Sequence, residues 1–121
     1  MNQTPLVRRG SIVLISVDPT VGSEAAKTRP AVVVSNNTAN AAAARSGTGV
    51  LTVVPLTSQT ARVFPFQVLL PAADTGLPQD SKAQAEQVRA VSITRVQRIV
   101  GWVSAELIGA IDDALRLHLV L

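Results

Sequence analysis

The chain has 121 residues, 47% of them hydrophobic but only 2% aromatic, and eleven Lys and Arg against eight Asp and Glu give a net charge of +3. This length predicts one domain, residues 1–121, with a single aliphatic core. Cys is absent and His occurs once, which excludes a disulfide framework and a thiolate metal site, so we expect neither a metal nor another cofactor. No segment has the pattern of a signal peptide or approaches the ~18 apolar residues of a membrane span, so the sequence predicts a cytoplasmic protein that does not enter the membrane.

Strands dominate the predicted structure. The apolar and β-branched runs predict strands at Ser11–Val17, Ala31–Ser35, Val50–Thr57, Phe66–Leu70, Ser81–Val88 and Ile99–Val103. Residues 19–28 and 71–79 read as loops, while Asn40–Arg45 and Ser92–Arg95 have room for short helical turns. Pro55 near the end of the third strand predicts a sheet edge or a bulge at that point.

The C-terminal segment carries the clearest helical pattern. Ser104 can cap the helix and Glu106 suits its positive end. Apolar residues and one histidine then recur at helical spacing: Leu107, Ile108, Ile111, Leu115, His118 and Leu119. Strands followed by one long helix predict a mainly β (α+β) fold, a strongly bent antiparallel sheet closed by the helix.

The most informative motif joins a turn-rich charged loop directly to a strand. It reads Gly22-Ser23-Glu24, then Arg29-Pro30 five residues later, then Ala31-Val32-Val33-Val34. Further blocks are Val54-Pro55-Leu56-Thr57-Ser58, Pro65-Phe66-Gln67-Val68 and Ala83-Gln84-Ala85-Glu86-Gln87-Val88-Arg89. In this order, over nearly the whole chain, they resemble the MazF/PemK toxins, endoribonucleases of type II toxin–antitoxin pairs. The resemblance implies the SH3-like small β-barrel that these toxins share with the gyrase-poisoning CcdB family.

Arg29 and Thr57 are the candidate catalytic pair. Arg29 offers a permanent charge and several donors to phosphate oxygens, and Pro30 biases its backbone to an extended form. The resemblance implies that Thr57 acts beside it on the phosphate. Without the resemblance, Arg29 could equally form a surface ion pair with Glu24, and Thr57 could be an ordinary strand residue.

The general base is left open by the sequence. A guanidinium stays protonated, so Arg29 is a poor acceptor for a 2′-hydroxyl proton and is assigned to charge stabilisation and to protonation of the leaving group. Glu24 could accept the proton, orient Arg29 or read a base. His118 has suitable chemistry, but its place between Leu117 and Leu119 favours a satisfied structural role.

The remaining candidates would bind substrate. Gln87 presents a donor and an acceptor, which suits base reading in single-stranded RNA, while Lys27 and Arg89 suit phosphates. Glu24 is a further candidate for substrate binding, and the weaker candidates are Ser58, Ser81 and Asp80. We expect Phe66 to lie in the core or a dimer seam rather than to stack on a base. Trp102 is expected to pack at the start of the helix.

The resemblance therefore implies a sequence-specific, metal-independent endoribonuclease toxin. It would cut single-stranded RNA, messenger RNA with tRNA or rRNA as further candidates, to 2′,3′-cyclic phosphate and 5′-hydroxyl ends and so inhibit translation and growth. It would act as a homodimer and be neutralised by a cognate MazE-like antitoxin. Two alternatives remain from the sequence: a CcdB-like gyrase inhibitor without ribonuclease activity, and an SH3-like binding module that catalyses no reaction.

Overall fold

The fold consists of antiparallel strands and one long C-terminal helix. The computed structural model describes residues 6–16 and 27–121. Its strands are β1 (Ser11–Ser16), β2 (Thr28–Val33), β3 (Val50–Thr57), β4 (Gln67–Leu70), β5 (Ser81–Gln84), β6 (Arg89–Ser92) and β7 (Val96–Trp102). The helices are α1 (Asn37–Ser46), α2 (Ala72–Thr75) and α3 (Ala105–Leu119), with 3₁₀ turns at Ala85–Gln87 and Ile93–Arg95.

The strands form one antiparallel sheet in the order β4-β5-β3-β2-β1-β7, and β6 also pairs with β3. Among the described strands no ladder joins β4 to β7, so the sheet is open. The predicted mainly β sheet with a C-terminal helix is confirmed. A closed barrel is therefore not observed among the described strands.

β3 is the central strand, and it changes partners along its length. Its first half pairs with β6 as far as Val53, and its end pairs with β5 from Leu56 onward. Pro55 lies between these two ladders on that side and faces Ala31 of β2 on the other. Of the two predictions for Pro55, a sheet edge or a bulge, the edge is therefore wrong; the residue lies at an interruption between two ladders. Its missing N–H is tolerated in a central strand because it falls where one side has no ladder partner.

Several predicted boundaries shift for local reasons. The predicted strand Ser81–Val88 is a strand only as far as Gln84, and a 3₁₀ turn follows at Ala85–Gln87. A separate strand, β6, begins at Arg89, because the chain moves from the end of β3 to its first half. β2 begins at Thr28 and ends at Val33, so Arg29 lies inside the strand. The predicted end of β1 at Val17 lies outside the described residues.

The helical predictions also need adjustment. α1 begins at Asn37 because the side chain of Asn36 caps it by accepting a bond of 2.8 Å from the N–H of Ala39. The predicted loop at residues 71–79 contains the short helix α2. The predicted turn at Ser92–Arg95 is confirmed as a 3₁₀ turn from Ile93, capped by Ser92.

The core lies on both faces of the sheet, and neighbouring residues of the central strands point to opposite faces. One cluster contains Val13, Val33 and Val53 and reaches α1 through Ala43. The other contains Ile12, Val32 and Val54 and reaches α3 through Ile111. Burial on both faces explains why β1, β2 and β3 are continuous apolar runs rather than alternating ones.

α3 begins as predicted. Ser104 Oγ accepts a bond of 3.2 Å from the N–H of Leu107, and Ile111 and Ala114 are buried. His118, however, is exposed, so its predicted structural role is wrong. Its side chain lies on the solvent-facing side of α3. Adjacent residues of a helix point in different directions, so an apolar residue before and after His118 does not imply that His118 is buried. No helix in the described part of the chain is long and apolar enough to cross a membrane.

Arg9 ties three elements together ahead of β1. Its Nε donates to the carbonyl oxygen of Val34 over 3.0 Å, and its guanidinium forms an ion pair with Asp112 of α3. Its backbone N–H donates to Asn37 Oδ1, at the start of α1, over 2.7 Å. Both side chains of the ion pair are partly buried, so salt screens it less than a fully exposed pair.

Candidate active site

A cleft lies where β2 begins and β3 ends. It has a volume of about 320 Å³ and is walled by the strand ends and by the segment before β5. The residues that line it are Arg29, Pro30, Leu56, Thr57, Ser58, Leu77, Pro78, Gln79 and Ser81. Four predicted site residues thus meet in one place: Arg29, Thr57, Ser58 and Ser81.

The cleft brings the predicted catalytic pair together. The ladder between β2 and β3 ends where Ala31 faces Pro55. Arg29 and Thr57 each lie two residues beyond this last pair, and both line the cleft. Arg29 is exposed and Thr57 half-buried, so a guanidinium and a hydroxyl face the same solvent-filled space.

Other polar groups of the cleft are engaged by the protein itself. Thr57 Oγ1 accepts a bond of 3.2 Å from the N–H of Gln59 and can still donate its own proton. Ser81 is only 5% exposed, and its hydroxyl donates to the carbonyl oxygen of Gln79 over 3.4 Å. Asp80 accepts a bond of 2.8 Å from the N–H of Ala72 at the start of α2. Asp80 and Ser81 therefore support the wall, and Ser58 is the freer hydroxyl.

The predicted base and phosphate readers lie outside the lining of this cleft. Gln87 is exposed on the 3₁₀ turn after β5, and Arg89 is exposed at the first residue of β6, opposite Val53. Lys27 is exposed immediately before β2. Glu24 lies outside the described residues, as does the Gly22-Ser23 part of the motif.

Glu86, next to Gln87, turns into the protein. Its Oε2 accepts a bond of 2.8 Å from Gln67 Nε2, while Oε1 is buried with no hydrogen-bond partner among the described residues. Gln67 is buried as well, and its Oε1 accepts a bond of 3.1 Å from the N–H of Phe64. Glu86 and Gln67 thus fix the position of the loop between β3 and β4.

Sequence reasoning missed Lys82 of β5 and Phe64 of the loop between β3 and β4, and it misjudged Trp102 of β7. Lys82 is buried, with 8% of its surface exposed, although a lysine is expected at the surface. Phe64 is 39% exposed, whereas Phe66, stacked against it, is half-buried. Trp102 is 57% exposed, so its predicted packing is wrong. The scarcity of aromatic residues was the one available signal for Phe64.

No group of three or more His, Asp or Glu side chains that could hold a metal ion occurs in residues 6–16 and 27–121. The cleft offers a permanently charged guanidinium, the hydroxyls of Thr57, Ser58 and Ser81, and backbone groups. Such a set can bind a phosphodiester, neutralise charge that develops on its oxygens and supply a proton.

Comparison with known proteins gives one consistent family. Residues 8–119 match the model of the PemK-like, MazF-like toxin of type II toxin–antitoxin systems. The chain is 56% identical to Endoribonuclease MazF9 of Mycobacterium tuberculosis over 114 residues, covering 94% of this chain and 97% of the relative. It is 28% identical to Endoribonuclease EndoA of Bacillus subtilis, covering 96% of this chain and 97% of the relative.

Solved structures agree with the fold. A crystal structure of MazE–MazF from Deinococcus radiodurans superposes with a TM-score of 0.77 at 24% identity, covering 97% of this chain and 98% of the matched chain. A mycobacterial endoribonuclease in complex with its cognate antitoxin gives a TM-score of 0.72, covering 95% and 96%. The family match over nearly all of the sequence, together with the 56% identical relative, shows that this chain belongs to the PemK-like, MazF-like toxins of type II toxin–antitoxin systems.

Proposed function

We propose that this protein is a sequence-specific, metal-independent endoribonuclease toxin that cuts single-stranded RNA. The observation that carries the proposal is that Arg29 and Thr57 line one cleft, where β2 begins and β3 ends. Relatives matched over nearly their full length are named endoribonucleases. The substrate would be messenger RNA, with tRNA or rRNA as further substrates, and the protein would act in the cytoplasm, where these RNAs take part in translation.

The chemistry follows from the two side chains. The 2′-hydroxyl oxygen of the nucleotide before the cut attacks the adjacent phosphorus, and the P–O5′ bond breaks. Arg29 neutralises the charge on the phosphorane and protonates the leaving 5′-oxygen, while the Thr57 hydroxyl donates to a non-bridging oxygen. The products are a 2′,3′-cyclic phosphate and a 5′-hydroxyl. The acceptor of the 2′-hydroxyl proton stays open, with Glu24 as one candidate.

Substrate binding is assigned to the polar residues around this pair. Ser58 lines the cleft and Lys27 precedes β2, so both would contact phosphates near the cut. Ser81 would contribute mainly through the wall that it supports. Gln87 and Arg89 lie beyond the cleft and would bind nucleotides farther along the strand.

A homodimer and a cognate antitoxin complete the proposal. The end of α3 exposes Leu117, Leu119 and Leu121, an apolar surface suited to a two-fold contact. Solved structures of related folds contain MazE–MazF pairs, which supports a MazE-like antitoxin as the partner. We also propose that the open sheet corresponds to the SH3-like barrel of the MazF/CcdB type. The CcdB-like gyrase inhibitor is not favoured, because the relatives are named endoribonucleases.

The decisive experiment is incubation of the purified protein with a long RNA in excess EDTA, followed by mapping of the cut ends. Cleavage should persist with chelator and leave 2′,3′-cyclic phosphate ends. A single 2′-deoxy substitution at the cut site should abolish it, because the nucleophile is gone. Activity that needed Mg²⁺, or that survived the 2′-deoxy substitution, would refute the mechanism.

A further inference from the structure

The loop between β3 and β4, residues 58–66, carries an exposed aromatic ring held in a fixed position. Phe64 stacks on Phe66 with ring centres 5.4 Å apart and planes inclined by 1°. The Arg62 guanidinium carbon lies 5.4 Å from the centre of the Phe64 ring, and Lys82 Nζ lies 5.8 Å from it. An exposed phenylalanine combined with two cations is an unusual surface feature in a chain with so few aromatic residues.

The protein fixes the backbone that carries this ring by several bonds. Gln67 accepts from the N–H of Phe64 through Oε1, and its own N–H donates to the carbonyl oxygen of Phe64 over 2.8 Å. Lys82 Nζ donates to the carbonyl oxygen of Arg62 over 2.6 Å. A ring on an ordered backbone loses less conformational entropy when a ligand stacks on it than a ring on a mobile loop would.

The sheet places Lys82, which contacts this ring, beside Thr57 of the proposed catalytic pair. Lys82 of β5 faces Thr57 on one side and Leu69 on the other. These side chains lie on the same face, and adjacent strands are about 4.8 Å apart. Lys82 Nζ lies 5.8 Å from the ring centre, so one side chain links the ring to the β5 side of Thr57, whereas Arg29 belongs to β2 on the other side of β3.

We infer that Phe64 and Arg62 form a stacking subsite for one nucleobase beside the scissile phosphate. This inference rests on the proposed function and names a binding site within it. Aromatic rings accept any base by stacking, and an arginine can add its planar cation to the stack. Because the RNA backbone must pass Arg29 and Thr57, a base of the same strand is the ligand that the position of the ring favours.

The test uses an oligonucleotide with the mapped cleavage sequence, made uncleavable by a 2′-deoxy group at the cut. 2-Aminopurine replaces each base in turn, since its fluorescence is quenched when it stacks. The wild-type protein should quench one position next to the cut. Phe64→Leu should abolish this quenching and weaken binding by roughly 5- to 100-fold, whereas Phe64→Tyr should retain both. Arg62→Ala should show a smaller loss.

Val63→Ala is the matched control, because Val63 is an exposed apolar residue of the same loop, at 40%, without a ring. It should bind and quench like the wild type. Quenching unchanged in Phe64→Leu would overturn the inference while leaving RNA cleavage established. Normal binding and cleavage by Phe64→Leu combined with escape from a cognate antitoxin would assign the ring to the protein partner and equally overturn it. A wild-type protein that cut no RNA would refute the proposed function itself.

Discussion

Lys82 on β5 donates a hydrogen bond of 2.6 Å to the carbonyl oxygen of Arg62 and so fastens the loop that follows β3. Arg9 and Arg116 each pair with an aspartate, but Lys82 has no carboxylate partner among the described residues. A buried cation without an opposite charge adds little to the stability of the fold. Lys82 instead holds the loop at residues 58–66 in position.

Replacing Lys82 by Met should therefore separate folding from loop position. Met keeps the apolar stem and removes the charge, so Tm should stay within about 3 °C of the wild type or rise. Amide hydrogen exchange of residues 59–66 should accelerate, and RNA cleavage should fall several-fold. A fall in Tm of more than about 10 °C would mean that the cation is required for folding.

Arg29 should be the most sensitive position for activity. Arg29→Ala should reduce the cleavage rate by roughly 10²-fold or more, the loss expected for a preorganised transition-state donor. Arg29→Lys should not rescue it, because a point charge lacks the planar fork. Single-turnover rates on one RNA would measure both. A folded Arg29→Ala protein with wild-type rates would remove Arg29 from the mechanism.

Thr57→Ala should lose less than Arg29→Ala, because it removes a neutral donor. Thr57→Ser provides the control, since it keeps the hydroxyl that accepts from the N–H of Gln59. The serine variant should keep most of the activity. Equal losses in both variants would show that the methyl group, and hence packing, matters at this position rather than the hydroxyl.

Gln87 and Arg89 should affect different properties of the reaction. Arg89→Ala should weaken binding of all RNAs alike and lower the salt slope by about 0.7, the value for one phosphate contact with a single strand. Gln87→Ala should relax the cleavage motif at one position and leave the slope unchanged. Arg45→Ala, which removes the same charge from the end of α1, is the control. If Arg89→Ala changed the cleavage motif and Gln87→Ala lowered the salt slope, Arg89 would be the base reader and Gln87 the phosphate contact.

Replacing glycine by alanine should have opposite effects on stability at Gly101 and Gly109. A Cβ on Gly101 would lie 2.4 Å from the carbonyl oxygen of Thr75, so Gly101→Ala should lower the free energy of unfolding by about 1–3 kcal/mol. A Cβ on Gly109 in α3 would meet no other group within 4 Å, so Gly109→Ala should raise it by about 0.5–1 kcal/mol. Urea unfolding measures both, and a stable Gly101→Ala protein would contradict the close packing of α2 on β7.

The apolar end of α3 should mediate self-association. Leu117 and Leu119 are 56% and 47% exposed, and Leu117→Asp should weaken a dimer that buries them. Sedimentation at micromolar concentration should show a dimer for the wild type and a shift toward monomer for the variant. A wild-type monomer would contradict this expectation.

An antitoxin with an acidic extended segment should displace RNA from the toxin, because both would bind the same groove. RNA and antitoxin bound together, with every groove filled, would contradict this competition.

The sequence predicted most of the strands and the start of α3, because apolar runs and a serine cap depend on local residues. It could not predict that Pro55 would sit in a central strand, since that depends on where β5 and β6 meet β3. In the candidate site, Arg29 and Thr57 were predicted as a pair, and both line the same cleft. Lys82 was missed because its burial arises from a loop folding over it, which no local pattern reveals.

The contact between Arg9 and Asp112 joins residues 103 positions apart. During synthesis the N-terminal strands emerge first, but this ion pair cannot form until nearly the whole chain has been translated. Loop closure over such a distance is entropically costly, so the contact should form late in folding. A chain that ends before α3 would lack this contact together with the Ile111 side of the core. A fragment from premature termination should thus lack the core packing behind the cleft, and activity should appear only after α3 has been synthesised.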